Sequence, residues 1–384
     1  MDPKPSQPQA SDTSKQWTPL ELAEMKTGRR LGPISRPVGF SSRRRFKPKR
    51  GTTCYHVMSR TTGGEFLFSD TEKEAFRRMM WRMAKFAGAE IYSYAVLGNH
   101  FHILVKIPEK SKWLRQFENK PGEDERAGEE RLLTHLSTVY SKAFLKQLRH
   151  EIETFRERGM EAAVEALLEK FKRRFCDVSL FVKELKERFS RWYNKQHDRR
   201  GTLWMDRFKS ILVDGQEALS TMAAYIDLNP VRAGLVDDPK DYRWSGYGEA
   251  MEGSRRARRG LCKALGLPMN QWEARGLARY RLHLYDEGVA IEQTRSSHKS
   301  GINQQKKGLT PEARAEVIAQ KGELPPPDLT KLLRERQESF GSGIAIGSRE
   351  FIREMAAAHR KQFERTREHP GKVVDQRRGI HVLK

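Results

Sequence analysis

Residues 1 to about 50 carry no hydrophobic period; they are polar, with scattered prolines, and end in a run that includes Arg43, Arg44 and Arg45. Such a stretch buries too little apolar surface to order itself and reads as disordered. Periodicity begins near Thr53. Cys54 to Arg60 alternates and carries strand formers, which predicts a strand. Thr61 to Gly64 is a turn, and Asp70-Thr71-Glu72-Lys73 has the acidic start of a helix. Phe76, Met79, Met80, Met83 and Phe86 recur at helical spacing and predict a core-facing stripe that Gly88 closes. Ile91 to Leu97 and Phe101 to Ile107 are two further strands, with Gly98-Asn99 as the hairpin between them. The order so far is strand, helix, strand, strand.

Residues 109 to about 178 break this rhythm. They are highly charged and helix-prone, with apolar positions at Leu132, Leu136, Val139 and Tyr140 and again at Val164, Leu167, Leu168 and Phe171. They read as a helical insertion, either a clamp on nucleic acid or a solvated helical hairpin, and composition favours the hairpin. Ser179 to about Asn194 is a helix lined by Leu180, Val182, Leu185, Phe189 and Trp192, with Lys183, Lys186, Arg188, Arg191 and Lys195 beside that line. Phe208 to Val213 alternates as a fourth strand, and Arg207 and Lys209, two apart, share a face where they could hold phosphates. Gln216 to Leu228 is helical and stops at Asn229-Pro230, where proline forbids continuation. Beyond Met251, the stretches 255–265, 272–285 and 348–368 look helical, 294–307 is a polar linker, Pro325-Pro326-Pro327 is a rigid break and 371–384 is a basic tail. Three regions follow: a basic N-terminal arm over 1–50, a main domain over 51–250 containing the insertion at about 109–178, and a helical basic C-terminal region with linkers over 251–384.

Composition sharpens this. The chain has 384 residues, 32% of them charged, and a formal net charge of +23. That balance points to a polyanion, most often nucleic acid. Arg43, Arg44 and Arg45 would then form an arm along a phosphate backbone rather than a solvated linker. Cys54, Cys176 and Cys262 have no paired spacing, which argues for a reducing compartment and against a cysteine zinc site. No apolar run approaches the roughly 20 residues of a membrane span, and the polar N-terminus lacks the core of a signal peptide. A cytoplasmic protein is expected.

Two short stretches carry chemistry. His100 and His102 are two apart on a predicted strand, so both imidazoles face one side while Phe101, Ile103 and Val105 face the other. A divalent metal explains such a pair better than packing does, with two unrelated surface histidines an equal alternative on spacing alone. Tyr225 and Asn229 are four apart on a helix, on one face and about 6 Å from each other. A phenol and an amide so placed suit a nucleophile and a ligand of one metal, or equally a buried tyrosine and a helix-ending asparagine. His56, on the first strand, could approach the pair but reads as a structural histidine. No Gly-x-x-x-x-Gly-Lys phosphate loop is present, so no nucleotide cofactor is expected.

The pieces gain meaning together. His100-Phe101-His102 resembles the HUH motif (His, hydrophobic, His) of single-tyrosine transposases. Tyr225-Ile226-Asp227-Leu228-Asn229-Pro230-Val231-Arg232-Ala233-Gly234 resembles the tyrosine helix of the REP-associated tyrosine transposases. Arg200-Gly201-Thr202-Leu203-Trp204, Arg207-Phe208-Lys209-Ser210 and Asp241-Tyr242-Arg243-Trp244-Ser245-Gly246-Tyr247 are similar to the same family. The likeness covers about 52–108 and 178–250, leaving out the insertion and the C-terminal third. It implies an α+β, ferredoxin-like HUH nuclease fold: an antiparallel sheet with helices on one face. It implies a metal-dependent endonuclease and strand transferase that cuts and rejoins single-stranded DNA near hairpin or palindromic repeats through a 5′-phosphotyrosine. The nucleophile would be Tyr225, and His100, His102 and Asn229 would hold Mg²⁺ or Mn²⁺. Arg207, Lys209 and Arg191, with Arg43, Arg44 and Arg45, are the DNA-binding candidates. The alternative is a non-catalytic DNA- or RNA-binding regulator derived from a transposase.

Overall fold

The structure, a computed structural model, describes residues 51–284, 343–358, 372–375 and 380–383. The chain runs β1 (Thr53–Arg60), α1 (Asp70–Ala87), β2 (Glu90–Val96) and β3 (His100–Ile107). The helices α2 (Lys110–Leu114), α3 (Ala127–Leu136), α4 (Lys142–Glu157) and α5 (Glu161–Lys172) follow, then α6 (Val178–Gln196) and β4 (Lys209–Val213). Next come α7 (Gln216–Asp227), the single turn α8 (Asn229–Arg232), α9 (Gly246–Met251) and α10 (Arg255–Ala264). The last described elements are β5 (Ala345–Gly347), α11 (Arg349–Ala358), β6 (Lys372–Asp375) and β7 (Ile380–Leu383).

One sheet has the order β2-β3-β1-β4-β5-β7-β6. β3 pairs antiparallel with β1 and β2, and β1 pairs antiparallel with β4. With α1 and α6 as the crossovers, these four strands make the split βαβ arrangement of a ferredoxin-like α+β fold, as expected. Alternation then sorts the side chains. Tyr55, Val57, Phe101, Ile103 and Val105 pack into one core with Phe76 of α1 and Phe189 of α6. Leu104, Ile211 and Val213 enter a second core with Met222, Ala223 and Ile226 of α7 and Leu261 of α10. Where the sequence leads one to expect helices on one face, α7 and α10 add a layer on the other. That second layer positions the site.

Several local expectations change. The N-cap of α1 is Ser69, not Asp70: its hydroxyl accepts from the Thr71 N–H at 3.3 Å, and its own N–H donates to Glu72 Oε2 at 2.9 Å, a capping box. Pro230 does not stop the tyrosine helix. Leu228, the single residue between α7 and α8, keeps right-handed helical angles, and the chain turns on through Arg232. The proline sits at the start of α8, and the Asn229 amide takes the carbonyl that its missing N–H would have served. The 371–384 stretch is no tail, because it supplies β6 and β7, with Ile380 and Val382 in the second core.

The insertion is not a solvated hairpin. Leu132, Leu133 and Leu136 of α3, Leu148 and Ile152 of α4 and Val164 of α5 are buried in the first core. His135 stacks on Phe86 at the end of α1, with its Nε2 2.8 Å from the Phe86 carbonyl oxygen. Its polar side is tied by ion pairs such as Arg156–Glu129 and Arg174–Glu184. The predicted linkers at 294–307 and 325–327, the end of the 348–368 helix and the whole 1–50 arm lie outside the described residues.

Candidate active site

Strand register builds the floor of the site. Lys209 of β4, Met58 of β1, His102 of β3 and Ala95 of β2 stand in one row across the sheet. In the adjoining row Arg60 of β1 is opposite His100. Even-numbered positions of β1 and β3 face α7, so His56, Arg60, His100 and His102 share the side that Tyr225 covers. The phenol ring meets His102 edge-on at 6.1 Å and His56 edge-on at 6.0 Å between centroids. The rings of His100 and His102 are 5.1 Å apart. Phe101, between them, is fully buried on the opposite face against Phe76, which holds the strand in this register.

Hydrogen bonds fix how the imidazoles point. Asn99 donates through Nδ2 to the Gly64 carbonyl at 2.9 Å, so its Oδ1 is the atom turned to His100 Nδ1, 2.6 Å away. His100 must therefore carry its proton on Nδ1, which leaves Nε2 with a lone pair. His102 Nδ1 lies 2.9 Å from Nε2 of His56, and those two rings stack at 17°. Burial holds both motif histidines neutral. It pushes His100 down to about 3, helped by the charge of Arg60, and holds His102 well below its ordinary value, helped by His56 and His100. Neutral imidazole is the form that binds metal.

Tyr225 is nearly buried, and desolvation raises its pKa against the opposing pull of Arg232. The Arg232 guanidinium lies 4.6 Å over the phenol ring, and its Nη1 donates to the Tyr225 carbonyl at 2.7 Å. Asn229 turns its amide nitrogen back onto the carbonyls of Tyr225 (2.9 Å) and Ile226 (3.2 Å). The second of these is the carbonyl that Pro230, lacking an N–H, cannot serve. The amide oxygen is the atom of Asn229 that remains for a ligand. Beside the site, Asp227 is fully buried and accepts from Ser93, Tyr280 and the Tyr247 N–H. It locks α7 to the sheet rather than reaching the histidines.

Among the described residues no group of three or more His, Cys, Asp and Glu side chains is spaced to hold a metal. A metal here would rest on Nε2 of His100 and His102 and on the Asn229 oxygen. That donor set fits Mn²⁺ or Mg²⁺, which accept few protein ligands and complete their shells with water and substrate phosphates.

Of the other predicted residues, Lys209 is exposed on the site face and Arg207 is exposed just before it. Arg191 is elsewhere: it projects from α6, the layer on the other side of the sheet, and lines a groove with Arg82 and Arg188. Three other tyrosines near the tyrosine helix in sequence are engaged away from the histidines. Tyr193 stacks on His197 at 4.2 Å in the first core, Tyr242 donates to the Val96 carbonyl, and Tyr247 packs on Tyr280. Sequence reading missed Asn99, Arg60 and Arg232 as members of the site, and took His56 as structural although it could approach the pair. Asn99 stands directly before the His pair and Arg232 within the tyrosine stretch.

No protein-family model matches this chain, and no curated protein does. A solved structure of a REP-associated tyrosine transposase bound to a REP hairpin is similar to it, at 16% identity and a TM-score of 0.34. The match covers 56% of this chain and 86% of that one. At that distance the likeness carries no argument about activity, which has to come from the residues. No helix among the described residues is long and apolar enough to cross a membrane.

Proposed function

We propose that the chain is a transposase-like tyrosine nuclease and strand transferase acting on single-stranded DNA, with Mg²⁺ or Mn²⁺ as cofactor. The observation that carries the reading is the position of Tyr225, edge-on to His102 on the face of the sheet that carries both motif imidazoles, His102 buried and His100 half-buried. Tyr225 Oη attacks the scissile phosphorus. An O–P bond to the tyrosine forms, the P–O3′ bond breaks, and the phenol proton is balanced by protonation of the departing 3′-oxygen through solvent. The DNA keeps a free 3′-OH and the enzyme a 5′-phosphotyrosine, so the bond energy is retained and rejoining needs no nucleotide. A bound divalent ion supplies Lewis-acid polarisation of the phosphate. His100, His102 and the Asn229 oxygen would hold it. Arg60 and Lys209, which share that face, would receive the DNA backbone. A hairpin or palindromic repeat as target belongs to the same reading.

The test is adduct mapping. Wild-type protein incubated with labelled single-stranded DNA and Mn²⁺ is expected to form a covalent complex whose peptide map places the nucleotide on Tyr225. Tyr225→Phe is expected to lose the adduct while keeping its fold and its DNA affinity within a few-fold, because affinity comes mostly from phosphate contacts. Cleavage that persists in Tyr225→Phe would mean a water nucleophile. DNA binding with no cleavage under any metal condition would favour the non-catalytic regulator.

A further inference from the structure

His56 is fully buried, yet its Nε2 lies 2.9 Å from His102 Nδ1 and its ring stacks on that of His102. A neutral imidazole has one N–H and one lone pair. His102 Nδ1 is occupied by His56, so Nε2 is the nitrogen through which His102 could bind a metal. A lone pair at Nε2 requires the proton at Nδ1, and that proton must then be donated to His56 Nε2. We infer that His56 is a positioning residue that fixes the metal-binding tautomer of His102.

The device is paired. Asn99 Oδ1 imposes the same choice on His100, from an amide whose orientation is set by its bond to the Gly64 carbonyl. Each histidine of the pair thus has an acceptor at Nδ1 and presents Nε2. Partners of this kind, behind a metal-binding histidine, ordinarily hold the ring in place and raise its basicity. The two partners come from different parts of the chain: Asn99 from the turn just before β3, and His56 from the neighbouring strand β1. The inference rests on the metal-site reading above, but its first test needs no metal.

That test is nitrogen NMR of the imidazoles in the metal-free wild-type protein. His102 is expected to be protonated at Nδ1; an Nε2–H form of His102 would overturn the inference and leave the metal-site reading untouched. The second test is Mn²⁺ binding followed by electron paramagnetic resonance, with thermal melts to show that each variant is folded. His56→Phe keeps an aromatic ring and removes the acceptor, so it is expected to weaken Mn²⁺ binding by roughly 10–100-fold. His56→Gln restores an acceptor oxygen and is expected to recover most of that loss, which a merely structural role would not predict. Equal Mn²⁺ affinity in wild type and His56→Phe overturns the positioning role. Absence of Mn²⁺ binding in wild type overturns the metal-site reading itself.

Discussion

The amide of Asn229 has one observed task and one proposed task, and they can be separated. Its nitrogen closes the carbonyls of Tyr225 and Ile226 at the α7–α8 break, while its oxygen is the candidate ligand. Asn229→Ala is therefore expected to cost about 1 kcal/mol of stability, the usual net worth of a lost hydrogen bond. It should also weaken Mn²⁺ binding and cleavage, with excess Mn²⁺ restoring part of the cleavage. A variant that melts lower but cleaves at the wild-type metal optimum would show that the amide serves only the helix. The spacing of Tyr225 and Asn229 and of His100 and His102 was legible in the sequence because both follow from the period of a single element. His56 was not legible as a partner of His102. The two are 46 residues apart, and they meet only through the β1–β3 register, which no local pattern encodes. Arg232 was in plain view within the tyrosine stretch. Its placement over the phenol depends on the chain continuing helically past Pro230, which the proline argued against.

The two helical layers are joined around the β2 edge of the sheet by one carboxylate. Glu249 of α9, almost fully buried, accepts from Trp81 of α1 at 3.0 Å and from Tyr94 of β2, and pairs with Arg77 of α1 at 3.0 Å and Arg256 of α10 at 2.8 Å. Burial alone would raise its pKa. Tyr94, Arg256 and Trp81 outweigh burial and hold it below the ordinary value. The sign of the pH dependence follows. A carboxyl depressed in the folded state stabilises above its unfolded pKa of about 4.3, and that stability drains as pH falls through the folded value. Glu249→Leu leaves Arg77 with Glu74 alone and strands the Tyr94 hydroxyl and Trp81 N–H, and is expected to cost about 1–3 kcal/mol. Melting curves for wild type and Glu249→Leu should converge as pH is lowered below 4; a constant gap down to pH 2 would show that charge is not what the clasp contributes. The elements this residue joins were largely readable, since α1, β2 and α7 have strong periods. Their layering was less so. The helices of the insertion show apolar positions that read equally well as a self-contained hairpin, and only the apolar end of α1 around Phe86 draws them into the main core. Short strands such as β5 and β7 carry too few residues to establish a period, and the pairing of β5 with β4 makes them visible.

At the scale of the molecule, cations among the described residues stand on both sides of the sheet. Lys209 and Arg60 stand with the histidines, while Arg82, Arg188 and Arg191 line a groove on the α1–α6 side with Met79, Met83 and Val139. Several other arginines are matched to acids, as in Arg77–Glu74, Arg149–Glu130 and Arg156–Glu129. Among the described residues, none of the three groove arginines has a carboxylate within ion-pairing distance. A net charge of +23 makes salt-dependent affinity for single-stranded DNA the expected behaviour, with a slope near −0.7 in log K against log salt for each phosphate neutralised. The division into two faces makes a finer prediction. Lys209→Gln should flatten the slope by about 0.7 and slow adduct formation, since this lysine shares a row with His102. Replacing Arg82, Arg188 and Arg191 together by glutamine should flatten it by about 2 while leaving adduct formation on a short saturating oligonucleotide unchanged, because none of them lies on the histidine face. Fluorescence anisotropy titrations between low and physiological salt, paired with adduct yields, read both effects. An unchanged slope in the triple variant would confine the DNA path to the histidine face, and a lost adduct would mean that the α1–α6 layer shapes the site through the sheet.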